Sequence, residues 1–399
     1  MRILFISTHN LATNPRLVKE IKLALSYGIV VDVVCFEFKN WSYENNLSII
    51  DSLKQARFII IPANRKPAWP WVKSVVTELV CKQCAQIFNL KNFFLSQAVS
   101  RRTILLIDSI KKLDGHYDWV IGHNHGAIYP AIFASKKFNC NPGFDMEDYH
   151  PGESNDVKQQ RLIKNLLLEQ LPKFKYISFA SAGIKNQVVS DFGKEYTNWF
   201  TVLNYFSKKE FIEPNLIDEE AVKLVWFSQN INYGRGLEQL IPVIERYYPK
   251  VKLTLIGNKH ENFFLQFIKD KKSIELVSPM DQQMLHDALS NFDVGLAIEP
   301  GKDLNNRLAV SNKLLAYYQA GLFILASDTP AHNNFFEDKY GIAQVTSLEK
   351  DKLMTVVKKL IDDKDTIRSK KQQRFNEAQF YIWEKESQKL IDSWKNITS

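Results

Sequence analysis

The chain has 399 residues, 45% of them hydrophobic and 24% charged, with a formal net charge of +8 at pH 7. That length exceeds what one hydrophobic core usually supports and predicts two domains of similar size, while its four cysteines are too few and too scattered for a secreted disulfide framework. The positive charge favours an anionic partner, but no DNA- or RNA-binding signature accompanies it, which argues against nucleic acid.

Met1-Arg2 leads at once into the apolar run Ile3-Leu4-Phe5-Ile6. No signal-peptide pattern precedes it and no apolar run reaches the ~18 residues that span a bilayer, so the chain reads as cytoplasmic, with peripheral attachment to a membrane left open. The loop Thr8 to Thr13 precedes Asn14-Pro15-Arg16, where Asn14 can cap a helix and Pro15 suits its first turn. The helix Arg16 to Tyr27 carries Leu17, Ile21 and Leu25 at helical spacing, and Ile29 to Phe36 follows as a buried strand. Phe58 to Pro62, Trp119 to Gly122 and Tyr176 to Ala180 read as further strands with helices between. This alternation implies a parallel sheet covered on both faces, with ligands beyond the carboxyl ends of its strands.

Between these strands, Lys66 to Arg102 interleaves Trp69, Trp71, Phe88, Phe93 and Phe94 with Lys66, Lys73, Lys82, Lys91, Arg101 and Arg102. Such a composition suits a helix pair lying on an anionic membrane surface, or ordinary packing in an inserted subregion. Cys81 and Cys84 fall within it and read as neighbours on a helix face rather than as a zinc or redox pair.

Further on, a strand ends in Gly122-His123-Asn124-His125, placing an imidazole at the carboxyl edge, where a neutral ring can titrate near working pH. The next strand ends in Phe144-Asp145-Met146-Glu147-Asp148-Tyr149-His150, with Gly152-Glu153 beyond. Carboxylates so close repel each other unless solvated or paired with a cation or a network of hydroxyls. Asp145 and Glu147 share one face of an extended chain and Asp148 takes the other. No metal-ligand spacing stands out.

The polar stretch Phe206 to Glu220, with Pro214, is the expected boundary. Beyond it Lys223 to Phe227, Lys252 to Ile256, Ile274 to Val277, Val294 to Ala297 and Phe323 to Ala326 repeat the strand–helix plan. Trp226 to Asn230 runs into Tyr233-Gly234-Arg235-Gly236-Leu237-Glu238, where glycines permit close backbone approach to a ligand beside a cation. Ser311-Asn312-Lys313 opens a helix that stops at Gly321. Either Ser311 or Asn312 can cap it, so free backbone N–H groups, the positive dipole end and Lys313 converge where an anion can sit. A last helix carries Trp383, Leu390 and Trp394.

Asn312-Lys313-Leu314-Leu315, with Ala320-Gly321 and the strand after it, resembles the donor site of GT-B glycosyltransferases, especially glycosyltransferase family 4. The order of Met1 to Arg16, Tyr117 to Glu153, Asn204, Trp226 to Glu238 and the helix around Trp383 extends the resemblance over most of the chain. It implies an α/β fold of two Rossmann-like domains facing an interdomain cleft: 1–205 for the acceptor, 206–375 for the nucleotide sugar, and 376–399 as a terminal helix crossing back to the first. The implied activity moves a hexosyl group, with retention, from a UDP- or GDP-linked donor to a hydroxyl of a lipid-linked glycan in cell-surface polysaccharide synthesis. No metal and no cofactor beyond that substrate is implied.

By the same match His123, or His125 if the loop is shifted, is the active-site histidine. Arg235 between Gly234 and Gly236, with Asn312 and Lys313, would hold the donor, and Glu147, Asn14 and Arg16 the acceptor. The chain departs from the pattern in two places. The usual Gly-Arg pair stands as Ser228-Gln229, and the paired glutamates of many members fall at Leu308 and Ala316. Glu299, beside Pro300, is then the nearest donor-side acid. These departures leave open a catalytically degenerate nucleotide-sugar-binding subunit and a sugar-nucleotide epimerase of the same fold.

Overall fold

A computed structural model describes residues 1–65, 68–215 and 217–395. The chain divides into two compact units, Met1–Val202 with Lys389–Ser399, and Leu203–Gln388. The polar stretch expected as the boundary lies inside the second unit, where Ser207 and Glu210 form a capping box.

The first unit is built on β1 (Arg2–Ser7), β2 (Val30–Glu37), β3 (Arg57–Pro62), β4 (Trp119–His123), β5 (Asn141–Met146), β6 (Tyr176–Phe179) and β7 (Trp199–Thr201). They form a parallel sheet in the order β3-β2-β1-β4-β5-β6-β7. Its central strands are apolar on both faces: Ile3 to Ile6 and Trp119 to Ile121 are wholly buried, as helices on either side of a parallel sheet require. The strand order reverses between β1 and β4, so a crevice opens beyond their carboxyl ends. Register puts Ser7 beside His123, His123 beside Asp145 and Asp145 beside Ser178, a polar row across four strands at that edge.

The helix Pro15–Ser26 starts where expected, with the Asn14 side chain accepting from the Leu17 amide at 2.9 Å. Cys81 and Cys84 are both free thiols on the helix Ala68–Ile87. Lys66 lies outside the described residues. Where one terminal helix is expected, two short ones stand, Trp383–Glu386 and Gln388–Lys395. In the first unit Trp394 of the latter is fully buried: its Nε1 donates to the Tyr176 hydroxyl at 2.9 Å and its carbonyl accepts from Trp119 Nε1 at 3.0 Å.

The second unit repeats the plan with β8 (Val222–Ile231), β9 (Val251–Lys259), β10 (Ile274–Val277), β11 (Val294–Ala297), β12 (Phe323–Ser327) and β13 (Ala343–Thr346), in the parallel order β10-β9-β8-β11-β12-β13. The reversal here lies between β8 and β11. Val222, Leu224, Trp226, Leu253 and Leu296 fill the core on one face of this sheet, and Val225, Ile256, Ala316, Tyr317 and Ile324 fill it on the other. Among the described residues no helix is long and apolar enough to cross a membrane.

Candidate active site

In the first unit, the acidic strand end near the β1–β4 reversal converges on His123. The ring is fully buried, with Nε2 3.4 Å from Glu20 Oε2 and Nδ1 3.1 Å from Glu147 Oε1 and 3.8 Å from Asp145 Oδ2. Burial alone would depress this imidazole, but Glu20, Glu147 and Asp145 overcome that and push it up to about 10. The acidic surroundings favour the charged ring over the neutral one expected from sequence. Glu20 is held above the ordinary carboxylate range by burial and by Asp145, against the pull of His123.

Arg16 clamps the other end of the group. Its Nε lies 2.5 Å and its Nη2 2.7 Å from the two oxygens of Asp145, and Nη1 donates to the Val202 carbonyl at 2.5 Å. Ser178 donates to the same carboxylate. Arg16 and Asn14, expected to meet an acceptor, are instead turned inward: both are buried, Arg16 bracing Asp145 and Asn14 capping its helix. Glu147 is the member that reaches the surface, with 16% of its side chain exposed. Glu20 was missed by sequence reading, yet a signal existed. It sits with Leu17, Ile21 and Ala24 at core spacing on its helix, and a carboxylate on such a face must have a buried partner.

His125 belongs to a separate cluster. Asn124 takes a left-handed backbone, φ 69°, and its side chain accepts from Ser7 Oγ at 2.9 Å, turning His125 away from His123. The His125 ring packs edge-on against His150, centroids 4.7 Å apart, and burial together with His150 pushes it down to about 3. His150 Nδ1 lies 2.7 Å from Glu153, which raises that imidazole despite its burial. His123, not His125, is thus the ring tied to the acidic strand end. Among the described residues, His125 with His150 and Glu153, and Glu20 with His123 and Asp145, bring ligand-type atoms within 4.8 Å. In the first group Glu153 pairs with the His150 ring, and in the second Arg16 and His123 lie against the acids.

The second unit gathers the other half of the expected residues at the β8–β11 reversal. Gly234 and Gly236 both have left-handed backbones, φ 70° and 81°, with Arg235 exposed between them. A Cβ on Gly236 would meet Ile298 Cγ2 at 2.3 Å, and one on Gly234 would meet Lys302 Nζ at 2.0 Å, so this loop lies directly against the one that follows β11. Glu238 ties the turn by accepting from the Gly234 amide. Ser311, rather than Asn312, caps the helix Asn312–Gln319. Asn312 instead accepts from Asn204 Nδ2 at 2.9 Å. Lys313 Nζ pairs with Glu299 at 2.8 Å and lies 5.7 Å from the Trp226 ring centroid. Lys302 is a cation the sequence reading passed over, although it follows Pro300-Gly301 at the end of a buried strand. Leu308 and Ala316, where paired glutamates were looked for, are buried apolar positions, so Glu299 is the acid beside Lys313.

No known protein family matches the sequence, and no curated protein matches it. Solved structures do match in shape over nearly the whole chain. HepE of Anabaena, crystallised with UDP, superposes with a TM-score of 0.68 at 12% identity, covering 99% of this chain and 100% of that one. Sucrose-phosphate synthase from Thermosynechococcus elongatus gives 0.68 at 11% identity, covering 100% and 99%. A variant of S. aureus TarM, in complex with fondaparinux, α-GlcNAc-glycerol and UDP, gives 0.67 at 12% identity, covering 99% and 100%. Two parallel sheets of this order, together with that likeness, give the chain the GT-B fold.

Proposed function

We propose that the protein is a glycosyltransferase that moves a sugar from a nucleoside diphosphate to a hydroxyl of a lipid-linked glycan, in cell-surface polysaccharide synthesis at the inner face of the membrane. One observation carries the reading. Near the strand-order reversal of the second sheet stand Arg235 on its glycine-flanked turn, Lys302 against that turn, and Lys313 at the start of a capped helix, three cations with helix N–H groups beside them. That is the chemistry a diphosphate requires. HepE holds UDP in one structure and UDP-glucose in another, which supports the same choice of ligand.

Negative charge builds on the diphosphate as the glycosidic bond breaks, and Arg235 and Lys313 would offset it there. Glu299 fixes the position of Lys313 and balances its charge until the anion arrives. In the first unit Glu147 would accept a hydrogen bond from the acceptor hydroxyl while the His123 imidazolium orients that carboxylate. With retention at the sugar, the departing phosphate takes the acceptor proton, so no further carboxylate base is needed. Buried Leu308 and Ala316 favour one rival, a subunit that binds nucleotide sugar without turnover.

Titration calorimetry with UDP- and GDP-linked sugars, followed by an assay for released nucleoside diphosphate in the presence of glycan acceptors, decides between them. Arg235→Ala should weaken donor binding by about ten- to a hundredfold, the worth of one charged hydrogen bond, and leave the melting temperature unchanged. Donor binding with no release under any acceptor identifies the non-catalytic subunit. Absence of donor binding ends both readings.

A further inference from the structure

The helix Ala68–Ile87 breaks the usual rule for a helix of a folded domain. Trp69, Val72, Val76, Leu79, Val80 and Ile87 are all exposed, Trp69 by 74% and Ile87 by 79%, and their spacing keeps them on one face along its length. The buried residues, Ser74 and Cys81, lie on the opposite face. An apolar stripe this long, left to water, marks a surface that meets something apolar.

A cavity opens beside that stripe. It has a volume of about 1160 Å³ and lies among this helix, the turn after it, the helix Asn92–Val99 and the helix Val157–Gln170. Its apolar wall is made by Leu79, Ile87, Phe88, Leu95, Leu162 and Leu168. Leu79 and Ile87 therefore belong to both the stripe and the cavity, so the two apolar surfaces are continuous. The volume exceeds the roughly 300–1,000 Å³ of ordinary small-molecule pockets, and the trough is partly open to solvent.

Its polar lining is basic. Lys82, Lys91, Lys158 and Arg161 contribute, against Asp156 and Glu169. The acids are already engaged: Asp156 accepts from the Lys158 amide at 2.9 Å, and Glu169 accepts from the Asn92 amide at 3.0 Å. Lys82 is held by Glu78 at 3.0 Å. Lys91, Lys158 and Arg161 are exposed and remain to meet an anion at the trough.

We infer that this trough binds a single-chain lipid phosphate, its hydrocarbon along the apolar wall and its phosphate at Lys91, Lys158 and Arg161. The chain would enter sideways from a bilayer seated on the stripe. This names the lipid part of the acceptor and rests on the transferase reading above, but its test does not. The full-length protein is titrated with fluorescently tagged farnesyl phosphate in the absence of any nucleotide sugar, with farnesol and inorganic phosphate as competitors.

Farnesyl phosphate should displace the probe far better than either competitor. Ile87→Asp with Phe88→Asp, and separately Lys158→Glu with Arg161→Glu, change exposed side chains and should each weaken the probe by about tenfold or more while leaving the melting temperature unchanged. Equal affinity in wild type and both double variants overturns the proposal. So does a protein that sediments with anionic phospholipid vesicles but ignores the probe, since the stripe would then be a general bilayer contact. A chain that binds the probe but never releases nucleoside diphosphate loses the transferase reading and keeps the trough. One that turns over nucleotide sugar on a water-soluble glycan and ignores the probe loses the trough alone.

Discussion

Glu20, Asp145 and Glu147 surround His123, and Arg16 supplies the second cation of the group. Because its folded value is raised to about 10 from an ordinary 6.5, the stabilisation from the charged ring is fully present below about 6.5 and is lost as pH rises through about 10. Nitrogen chemical shifts of the His123 ring should thus report an imidazolium at pH 8, where a free histidine is neutral. Glu20→Gln should move that titration downward, and a neutral ring at pH 8 in the wild type would sink the assignment. Arg16→Ala should cost roughly 3–5 kcal/mol in chemical denaturation, the penalty for leaving a buried carboxylate without its ion pair. A loss below about 1 kcal/mol would mean that Asp145 takes up a proton or water instead. His123 and Asp145 were legible because both end apolar strands. The charge on the ring was not, since it depends on Glu20, which arrives from a helix a hundred residues earlier and only the fold brings near.

At the scale of single elements, the turn Gly234-Arg235-Gly236 shows what a left-handed backbone is for. Gly28 has nearly the same φ, 70°, but open space where a Cβ would go, whereas at Gly236 the new atom would also strike Ile298. Gly236→Ala is expected to lose roughly 1–3 kcal/mol from strain alone, with further cost from the collision, and to weaken nucleotide binding as Arg235 moves. Gly28→Ala should show the strain without the binding defect. Thermal melts with and without UDP separate the two, and equal UDP affinity in both variants would remove the turn from the site. Central strands such as Ile3 to Ile6 and Val294 to Ala297 could be read from continuous apolar runs. The edge strands Trp199–Thr201 and Ala343–Thr346 could not, because they are short and half-buried, and Gln344 and Thr346 blur the pattern. The cap at Ser311 was not legible either, since Ser311 and Asn312 are equally good caps by residue type.

For the molecule as a whole, a net charge of +8 and a long apolar stripe point to the same partner by different physics. Not every cation first assigned to a membrane face is free to serve there. Lys73 pairs with Asp108 at 2.7 Å, and Arg102 donates to the Thr8 carbonyl at 2.7 Å while its guanidinium lies 4.6 Å from the Phe38 ring centroid. Reversing those two charges would disturb the fold before it tested attachment. The apolar stripe is the cleaner target, since Val76 and Val80 are more than half exposed and bury little when the protein is in water. The wild type should co-sediment with anionic vesicles at low ionic strength and less so as the Debye length shrinks from about 10 Å at 0.1 M salt to about 3 Å at 1 M. Val76→Asp with Val80→Asp should abolish sedimentation even at low salt, because two carboxylates placed on the apolar face resist insertion and repel anionic headgroups together. Salt then reads the basic residues and the aspartates read the stripe. If the wild type stays in the supernatant with vesicles of every charge, the stripe meets another protein rather than lipid.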